Sequence, residues 1–358
     1  PGAIMRREDY RMSREEAVRL LERAPYVHMA ATGPDGNPIL RVIHTVVSDE
    51  RLCFHGAPVG EKCGALGREA VFSAEEVIAE VPSYWSDPEL ACPATTLYLS
   101  AQVHGTIEPV TDPAARARAL QRLMERYQPE GGHVPITHDD ARYTKSLAGL
   151  LVAGVSLERL DGKAKLAQNR TPPKVAALVR ELWSRGRPTD ARAASCVMRA
   201  NPRVERDARF VGPHGVTLDP ALEDDALAAV CGLLRDTYWH AGGFSEANVA
   251  RAHRASAAWV GARDPHGEVI ASARAVSDGV RYAYVADFVV HPAWQGKGVG
   301  AALLALLLDH PQVRGVTRVE LATRDAVGFY ARFGFVETGR AHNGSFTRVS
   351  MARVRRIP

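Results

Sequence analysis

The chain has 358 residues, of which 46% are hydrophobic and 24% charged, and it carries a formal net charge of +4 at pH 7. This length favours two domains with separate cores, and the cations are scattered among acids, which argues against a dedicated nucleic-acid-binding surface. No apolar run approaches the ~18 residues of a membrane span, and the five cysteines include no Cys-x-x-Cys pair, so we expect a cytoplasmic protein with reduced thiols and no zinc site.

The first half of the chain predicts a helix followed by antiparallel strands. Residues 13–24, "SREEAVRLLERA", combine a serine cap, a glutamate three positions later and an apolar stripe, which is typical of a capped amphipathic helix. Strands with a period of two and short connecting turns are predicted at 26–33, 39–48, 52–57, 70–77, 95–110 and 149–166. Further helices are predicted at 112–127 and between Pro173 and Gly186. This order indicates an antiparallel, barrel-like sheet with helices on its outside.

The second half predicts a mixed α/β domain. Polar residues and prolines between 187 and 211 place the domain boundary near 205, so we assign the domains to 5–205 and 209–358, with the native start at Met5. Helices are predicted at 224–237, 245–258, from 299 onward and at 324–334. Strands are predicted at 257–264, 268–278, 282–292, 318–323 and 346–354.

The stretch "HPAWQGKGVGAALLALLLDH", residues 291–310, places glycines before an apolar helix and therefore suggests a phosphate site. Its Lys297 is followed by glycine, which excludes the nucleoside-triphosphate loop. Gly296, Gly298 and Ala301 do spell a dinucleotide motif, with Glu320 downstream. However, five residues separate the strand from the first glycine, and only about 60 residues follow, too few for a doubly wound sheet. A plain helix cap and the pyrophosphate loop of an acyl-CoA site remain.

Two motifs favour the acyl-CoA site. "FVVHPAWQGKGVGAALL" resembles the signature of the GNAT family of N-acetyltransferases, and "LATRDAVGFYARFGF" is similar to that family's later motif. "DTYWHAGGFSEANVARA", residues 236–252, resembles the substrate-side opening of a bacterial subgroup. The resemblance implies a mixed α/β fold and an acetyl-CoA site. The residues assigned to acetyl-CoA are Val290, Gln295, Gly296, Lys297, Gly298, Val299, Gly300 and Thr323.

The resemblance also implies catalytic roles. The strand before the loop splays from its neighbour, and an exposed amide near Val289 is expected to bind the thioester carbonyl. Tyr330 matches the family's general acid, which protonates the departing thiolate. Asp287 and Tyr238 are the candidate bases, each of which is also consistent with a structural role.

The first half has a less specific resemblance. The strand order, "FHGAPVGEK" (54–62) and "AKLAQNR" (164–170) resemble the FMN-binding split-barrel family related to pyridoxamine 5'-phosphate oxidase. The resemblance implies a homodimer with FMN bound by Arg41, His55, Lys62 and Tyr84. Related barrels bind haem, for which the histidines are His28, His44 and His55, or bind nothing.

The sequence thus predicts a split barrel fused to an acetyltransferase that moves an acetyl group from acetyl-CoA to a small amine in a ternary complex. The expected partners are the amine and a second copy of the chain. The alternative is a flavin- or haem-binding sensor or redox protein whose second domain binds CoA without being the main catalyst. No metal site is predicted.

Overall fold

A computed structural model describes residues 7–240, 244–343 and 346–355. Its contacts divide the chain into two compact units. Unit 1 comprises the described residues up to Pro82 together with Cys92–Gln168, and unit 2 comprises Ser83–Ala91 and the described residues from Asn169 onward. Unit 1 is the antiparallel split barrel with flanking helices and unit 2 the mixed α/β fold that the sequence predicts.

Unit 1 is built from short strands and four helices within its described residues. The strands are Val27–Thr32 (β1), Pro38–Ile43 (β2), Val46–Ser48 (β3), Arg51–Gly56 (β4), Glu69–Val81 (β5), Thr95–Thr106 (β6), Glu108–Pro109 (β7), Leu151–Ser156 (β8) and Leu160–Lys165 (β9). The helices are Arg14–Arg23 (α1), Glu61–Gly64 (α2), Pro113–Tyr127 (α3) and Ala141–Gly149 (α4). Helix α1 begins with a complete capping box, in which Ser13 and Glu16 bond each other's backbone amides.

The strands of unit 1 form two sheets, ordered β2-β1-β5-β6-β9 and β3-β4-β8-β7. Three predicted long strands are each divided between the sheets: 39–48 becomes β2 and β3, 95–110 becomes β6 and β7, and 149–166 becomes β8 and β9. Phe54 of one sheet and Phe72 of the other are fully buried with ring centroids 6.0 Å apart. The chain therefore passes from sheet to sheet around a shared core, which makes the barrel split.

A half-buried arginine stabilises one of these corners. Thr45 lies between β2 and β3, where the backbone leaves one sheet before joining the next. Arg126 of α3 donates to the carbonyl of Thr45 (2.7 Å) and also bonds the carbonyls of Leu21 and Ala24 at the end of α1. Carbonyls that leave a ladder need another donor, and a residue 81 positions away supplies it here.

Unit 2 contains the remaining elements. Its strands are Thr217–Asp219 (β10), Ala258–Arg263 (β11), Val269–Ser277 (β12), Tyr282–Val290 (β13), Arg318–Thr323 (β14), Val336–Asn343 (β15) and Phe346–Val354 (β16). Its helices are Pro172–Arg185 (α5), Asp190–Ala200 (α6), Leu227–Arg235 (α7), Glu246–Arg254 (α8), Val299–Asp309 (α9), Pro311–Arg314 (α10) and Val327–Ala331 (α11). The sheet order is β10-β11-β12-β13-β14-β16-β15, and β13 and β14 run parallel.

Helices α5 and α6 pack with unit 2, although the sequence placed the boundary after them. Trp183 of α5 is fully buried and donates to the Asp309 carboxylate (2.8 Å) at the end of α9. Helix α6 lies within the stretch that the sequence assigned to a linker. Its flanking prolines, at 188 and 202, lie outside the helix and so do not interrupt it. Its buried alanines and Val197 provide the packing face that the linker prediction overlooked.

Candidate functional site

The first feature of the site in unit 2 is the point where β13 and β14 part. Their parallel ladder joins Tyr282–Tyr284 to Arg318–Glu320 and includes no later residue of β13 in the described chain, although β13 extends to Val290. On its other side β13 stays paired with β12 as far as Val290. The second half of β13 therefore has one edge without a strand neighbour.

Backbone hydrogen bonds show which amides of β13 face this opening. The His291 amide donates to the Ile270 carbonyl next to β12 (2.8 Å). Because successive amides of a strand point to opposite sides, the Val289 amide also faces β12, and the amides of Phe288 and Val290 face the opening. The sequence predicts a carbonyl-binding amide near Val289. The amides in that region that face the opening are those of the two adjacent residues, Phe288 and Val290. The Val289 side chain is buried in the core against α7.

The glycine turn follows directly at the end of β13. Gly296 and Gly298 have φ values of 73° and 83°, a left-handed conformation that favours glycine. Gly298 caps α9, and the first bond into that helix runs from the Ala302 amide to the Gly298 carbonyl (3.1 Å). The three amides between them have no partner within the helix. Together with the helix dipole they form a site for a phosphate group.

Two side chains of this turn make contacts within the protein. Gln295 donates through Nε2 to the Val290 carbonyl (3.0 Å), which ties the turn to β13. The Lys297 ammonium lies 5.2 Å from the centre of the Trp294 ring. Gln295 therefore holds the turn in place. The donors that remain for a phosphate are the backbone amides at the start of α9.

Tyr330 of α11 is 7% exposed and lies in an aromatic cluster. Its ring makes edge-on contacts, with centroids 5.0–6.2 Å apart, with Phe329, Phe335 and Phe288. Burial above all, followed by the neighbouring Tyr238, Asp325 and Tyr284, raises the pKa of Tyr330. The phenol is therefore protonated at neutral pH, as a general acid must be.

Thr323 and Tyr238 stabilise the backbone before α11. Thr323 is buried and its Oγ1 accepts from the Ala326 amide (3.1 Å), which fixes the turn before α11. The Tyr238 hydroxyl accepts from the Arg324 amide (3.0 Å), and its ring lies 4.0 Å below the Arg324 guanidinium. Tyr238 thus stabilises the loop that precedes α11.

Asp287, one of the two predicted bases, is held by a guanidinium. Arg274 Nε donates to its carboxylate at 2.6 Å, and both side chains are largely buried. This charge-assisted bond ties the Asp287 carboxylate to β12. The contact agrees with the structural role that the sequence analysis also considered for this residue.

A groove on the same face as Asp287 contains a carboxylate that the sequence analysis did not assign to catalysis. It has a volume of about 300 Å³ and is lined by Val276, Tyr282, Tyr284 and Glu320, among others. Glu320 lies directly across the ladder from Tyr284, where β13 and β14 begin to part, and it pairs with Arg318. From the sequence alone, Glu320 could be recognised only as an acidic residue on a predicted strand.

Unit 1 brings three of its four predicted flavin residues to one region. A Cβ at Gly56 would lie 2.8 Å from Lys62 Nζ, so the Lys62 ammonium lies against the strand next to His55. Burial, followed by the charges of Lys62 and His44, lowers the pKa of His55. Arg41 forms an ion pair with Glu61, the residue before Lys62. Lys62 and Arg41 thus supply positive charge that fits a phosphate, and Arg41 also pairs with Glu61.

Tyr84, the fourth, lies in the segment Ser83–Ala91 that packs with unit 2, and it is 66% exposed. Of the histidines considered for haem, His28 faces Glu75 (3.6 Å) and His44 stacks on Tyr127 with ring centroids 4.5 Å apart. No three histidine, cysteine or acidic side chains converge on a metal position in the described residues.

In the described ranges, no helix combines the length and apolarity that crossing a membrane would require.

Comparisons with known proteins confirm both family resemblances. Residues 13–164 match the family model described as pyridoxamine 5'-phosphate oxidase, and residues 229–335 match that of the acetyltransferase (GNAT) family. Each match falls largely within one unit of the structure.

The chain is also similar to individual proteins over short regions. It is 41% identical over 68 residues to GCN5-related N-acetyltransferase 1, chloroplastic, of Arabidopsis thaliana, which is 19% of this chain and 34% of that protein. It is 43% identical over 70 residues to serotonin N-acetyltransferase 2, chloroplastic, of Oryza sativa subsp. japonica, which is 19% of this chain and 35% of that protein. The chain thus spans about a third of the length of these two relatives.

Two solved structures resemble parts of the fold. The ribosomal-protein-S18-alanine N-acetyltransferase from Escherichia coli has 25% identity and a TM-score of 0.34, covering 39% of this chain and 93% of that one. The FAD and heme binding protein from Mycobacterium smegmatis has 24% identity and a TM-score of 0.36, covering 48% of this chain and 80% of that one.

Proposed function

We propose that unit 2 transfers an acetyl group from acetyl-CoA to a small primary amine within a ternary complex. The observation that carries the proposal is the succession of amides from the open edge of β13 to the start of α9. Both the thioester carbonyl and the pyrophosphate need N–H donors. The match to the acetyltransferase (GNAT) family supports the same activity.

The chemistry follows from the residues around the opening. The neutral amine attacks the thioester carbon, and the amides of Phe288 and Val290 stabilise the oxyanion. The new C–N bond forms as the C–S bond breaks, and Tyr330 gives its proton to the thiolate. The amine's surplus proton passes to a base on the groove side, for which we propose Glu320.

A covalent acyl-enzyme is not needed in this scheme. Cys231 of α7 is buried, and burial above all raises the pKa of its thiol. Thiols react as thiolates, so this cysteine is a poor acyl carrier. Direct attack by the amine is the simpler route.

Replacement of Glu320 tests the base and the groove. We expect Glu320→Gln to lower kcat/KM for the amine by roughly 100-fold near neutral pH, because proton removal by a placed base contributes about that much. The loss should shrink at alkaline pH, where hydroxide can take the surplus proton in place of the carboxylate. The measurement is CoA release from acetyl-CoA against an amine library. Glu268→Gln, which changes an exposed glutamate in the β11–β12 turn, serves as the control, and unchanged turnover in Glu320→Gln would remove this residue from the mechanism.

For unit 1 we propose that the region of His55 and Lys62 binds the phosphate of FMN. The Lys62 ammonium and the Arg41 guanidinium supply positive charge for a phosphate monoester, and the His55 ring can donate an N–H. The match over residues 13–164 supports a flavin-type barrel. A bound flavin would supply hydride or single-electron transfer. The protein's own part is to hold the phosphate and to place the ring.

The absorption spectrum of the purified protein tests this cofactor. We expect a flavin band, and we expect Lys62→Ala to weaken FMN binding by about tenfold, because a charge-assisted phosphate contact is lost. Lys145→Ala, on the exposed side of α4, should leave the affinity unchanged. A Soret band would instead assign haem, and a colourless protein that FMN does not reconstitute would rule out the flavin.

A further inference from the structure

Asp287 has a backbone conformation that a non-glycine residue rarely adopts. Its φ is 48°, in the left-handed region, which residues with a Cβ disfavour. The strain occurs at a shift of register between β12 and β13: Ser272 pairs with Val289, whereas Arg274 pairs with Ala286. Strand β13 therefore contains one extra residue there, which is a β-bulge.

The bulge decides which backbone groups face the opening. Because side chains and amides alternate with a period of two, one inserted residue reverses the direction of every group that follows it. Without the insertion, the amides of Phe288 and Val290 would face β12 and that of Val289 would face the opening. The position of the oxyanion donors along β13 therefore depends on the bulge.

Arg274 and Asp287 form the bond that spans the bulge. Arg274 lies on β12 and its Nε donates to the Asp287 carboxylate at 2.6 Å, while Nη1 reaches the Ser256 hydroxyl at 3.4 Å. The side chains are 16% and 21% exposed, so solvent screens the pair only weakly. Burial above all lowers the pKa of the nearby His253, whose imidazole is thus neutral at pH 7. Arg274 consequently supplies the positive charge that faces Asp287.

We infer that Arg274 and Asp287 are positioning residues, which together hold the bulge of β13 and so direct the amides of Phe288 and Val290 at the acetyl carbonyl. The inference rests on the proposed acetyl transfer at this site. The sequence analysis considered Asp287 as a base. In this inference its carboxylate instead bonds Arg274 and so holds the backbone of β13 in the bulged conformation.

A double-mutant cycle on kcat tests this assignment. We expect Arg274→Gln and Asp287→Asn each to lower kcat by roughly 10- to 100-fold, since removing an oxyanion donor has effects of this order. The double variant should be no slower than the worse single variant, because both changes break one bond. The Kd of acetyl-CoA, set by the glycine turn, should change by less than about threefold. Arg274→Lys should recover part of the rate.

A spectroscopic readout separates this inference from the proposed function. The carbonyl resonance of acetyl-CoA labelled with carbon-13 at C1 should shift downfield on binding to the wild type, through its bonds to the strand amides, and should shift less in Arg274→Gln. The control is Arg254→Gln, which breaks the exposed Arg254–Asp224 pair elsewhere in unit 2. Circular dichroism melting confirms that each variant folds.

The outcomes are distinct. If Asp287→Asn is slow while Arg274→Gln is as fast as the wild type or faster, Asp287 is a base and the inference is wrong. It is also wrong if acetyl-CoA binds the wild type and neither variant alters the carbonyl shift. If acetyl-CoA binds and the shift depends on Arg274 but no amine is acetylated, the positioning role stands and the proposed transfer fails. If acetyl-CoA does not bind the wild type, both are overturned.

Discussion

Tyr330→Phe should lower kcat of acetyl transfer by roughly 100-fold or more, because the departing thiolate loses its proton donor and general acids contribute about this much. The Kd of acetyl-CoA should barely change. The variant leaves the glycine turn unchanged, and the ring that remains preserves the contacts with Phe329 and Phe335. Steady-state kinetics combined with calorimetric binding of acetyl-CoA separates the two effects.

The pH dependence gives a second expectation for Tyr330. Since burial raises the pKa of this phenol above its usual value near 10, the acid form persists through the alkaline range used for assays. The wild type should therefore show no loss of kcat from tyrosine ionisation below about pH 10. Cys231→Ala, which changes a buried residue of α7, is the control and should retain full turnover. A phenylalanine variant as fast as the wild type would show that Tyr330 is only a packing residue.

Gly298→Val should weaken acetyl-CoA binding by at least about tenfold, and with it kcat/KM. At φ 83° a branched side chain is strained by about 1–2 kcal/mol or more, and relief of that strain would rotate the amides that open α9. The added Cβ would also lie 3.5 Å from Pro213 Cγ, next to the turn where we propose that the pyrophosphate binds. Calorimetric titration with CoA measures the effect directly.

Gly267→Val provides the matched control for this change. Gly267 has φ 90° in the β11–β12 turn of the same unit, and a Cβ there meets no atom within 4 Å. It should lower the melting temperature by a similar amount without changing CoA affinity. If both variants keep the wild-type affinity, the glycine turn is only a helix cap.

Features that depend on neighbours in sequence could be predicted from the chain alone. The serine cap and glutamate of α1 lie within one helical turn of each other, and both bonds of the capping box form. Strand β14 runs over the predicted residues, 318–323. The left-handed glycines at 296 and 298 likewise follow from residue type, because only glycine adopts this conformation without strain. Two family motifs then related these local signals to two folds.

Other features depend on residues far apart in the chain, and the sequence pattern did not reveal them. The alternation of side chains with a period of two continues on both sides of the corner between β2 and β3. The sequence therefore predicts one strand over 39–48, although β2 and β3 belong to different sheets. Likewise, the linker prediction for 187–211 took its prolines as breaks, whereas α6 forms between them because unit 2 buries its apolar face.

The sequence by itself determined the two folds, the glycine turn and the candidate acid Tyr330, because each rests on a local pattern or a contiguous motif. The tertiary structure decided which amides of β13 face the opening and which arginine each carboxylate meets: Asp287 pairs with Arg274 and Glu320 pairs with Arg318. One inserted residue at Asp287 reverses the alternation, and the partner that holds it, Arg274, lies 13 residues earlier on another strand. Glu320 gains its proposed role only because β13 and β14 part beside it. These depend on distances between strands, which no local pattern encodes.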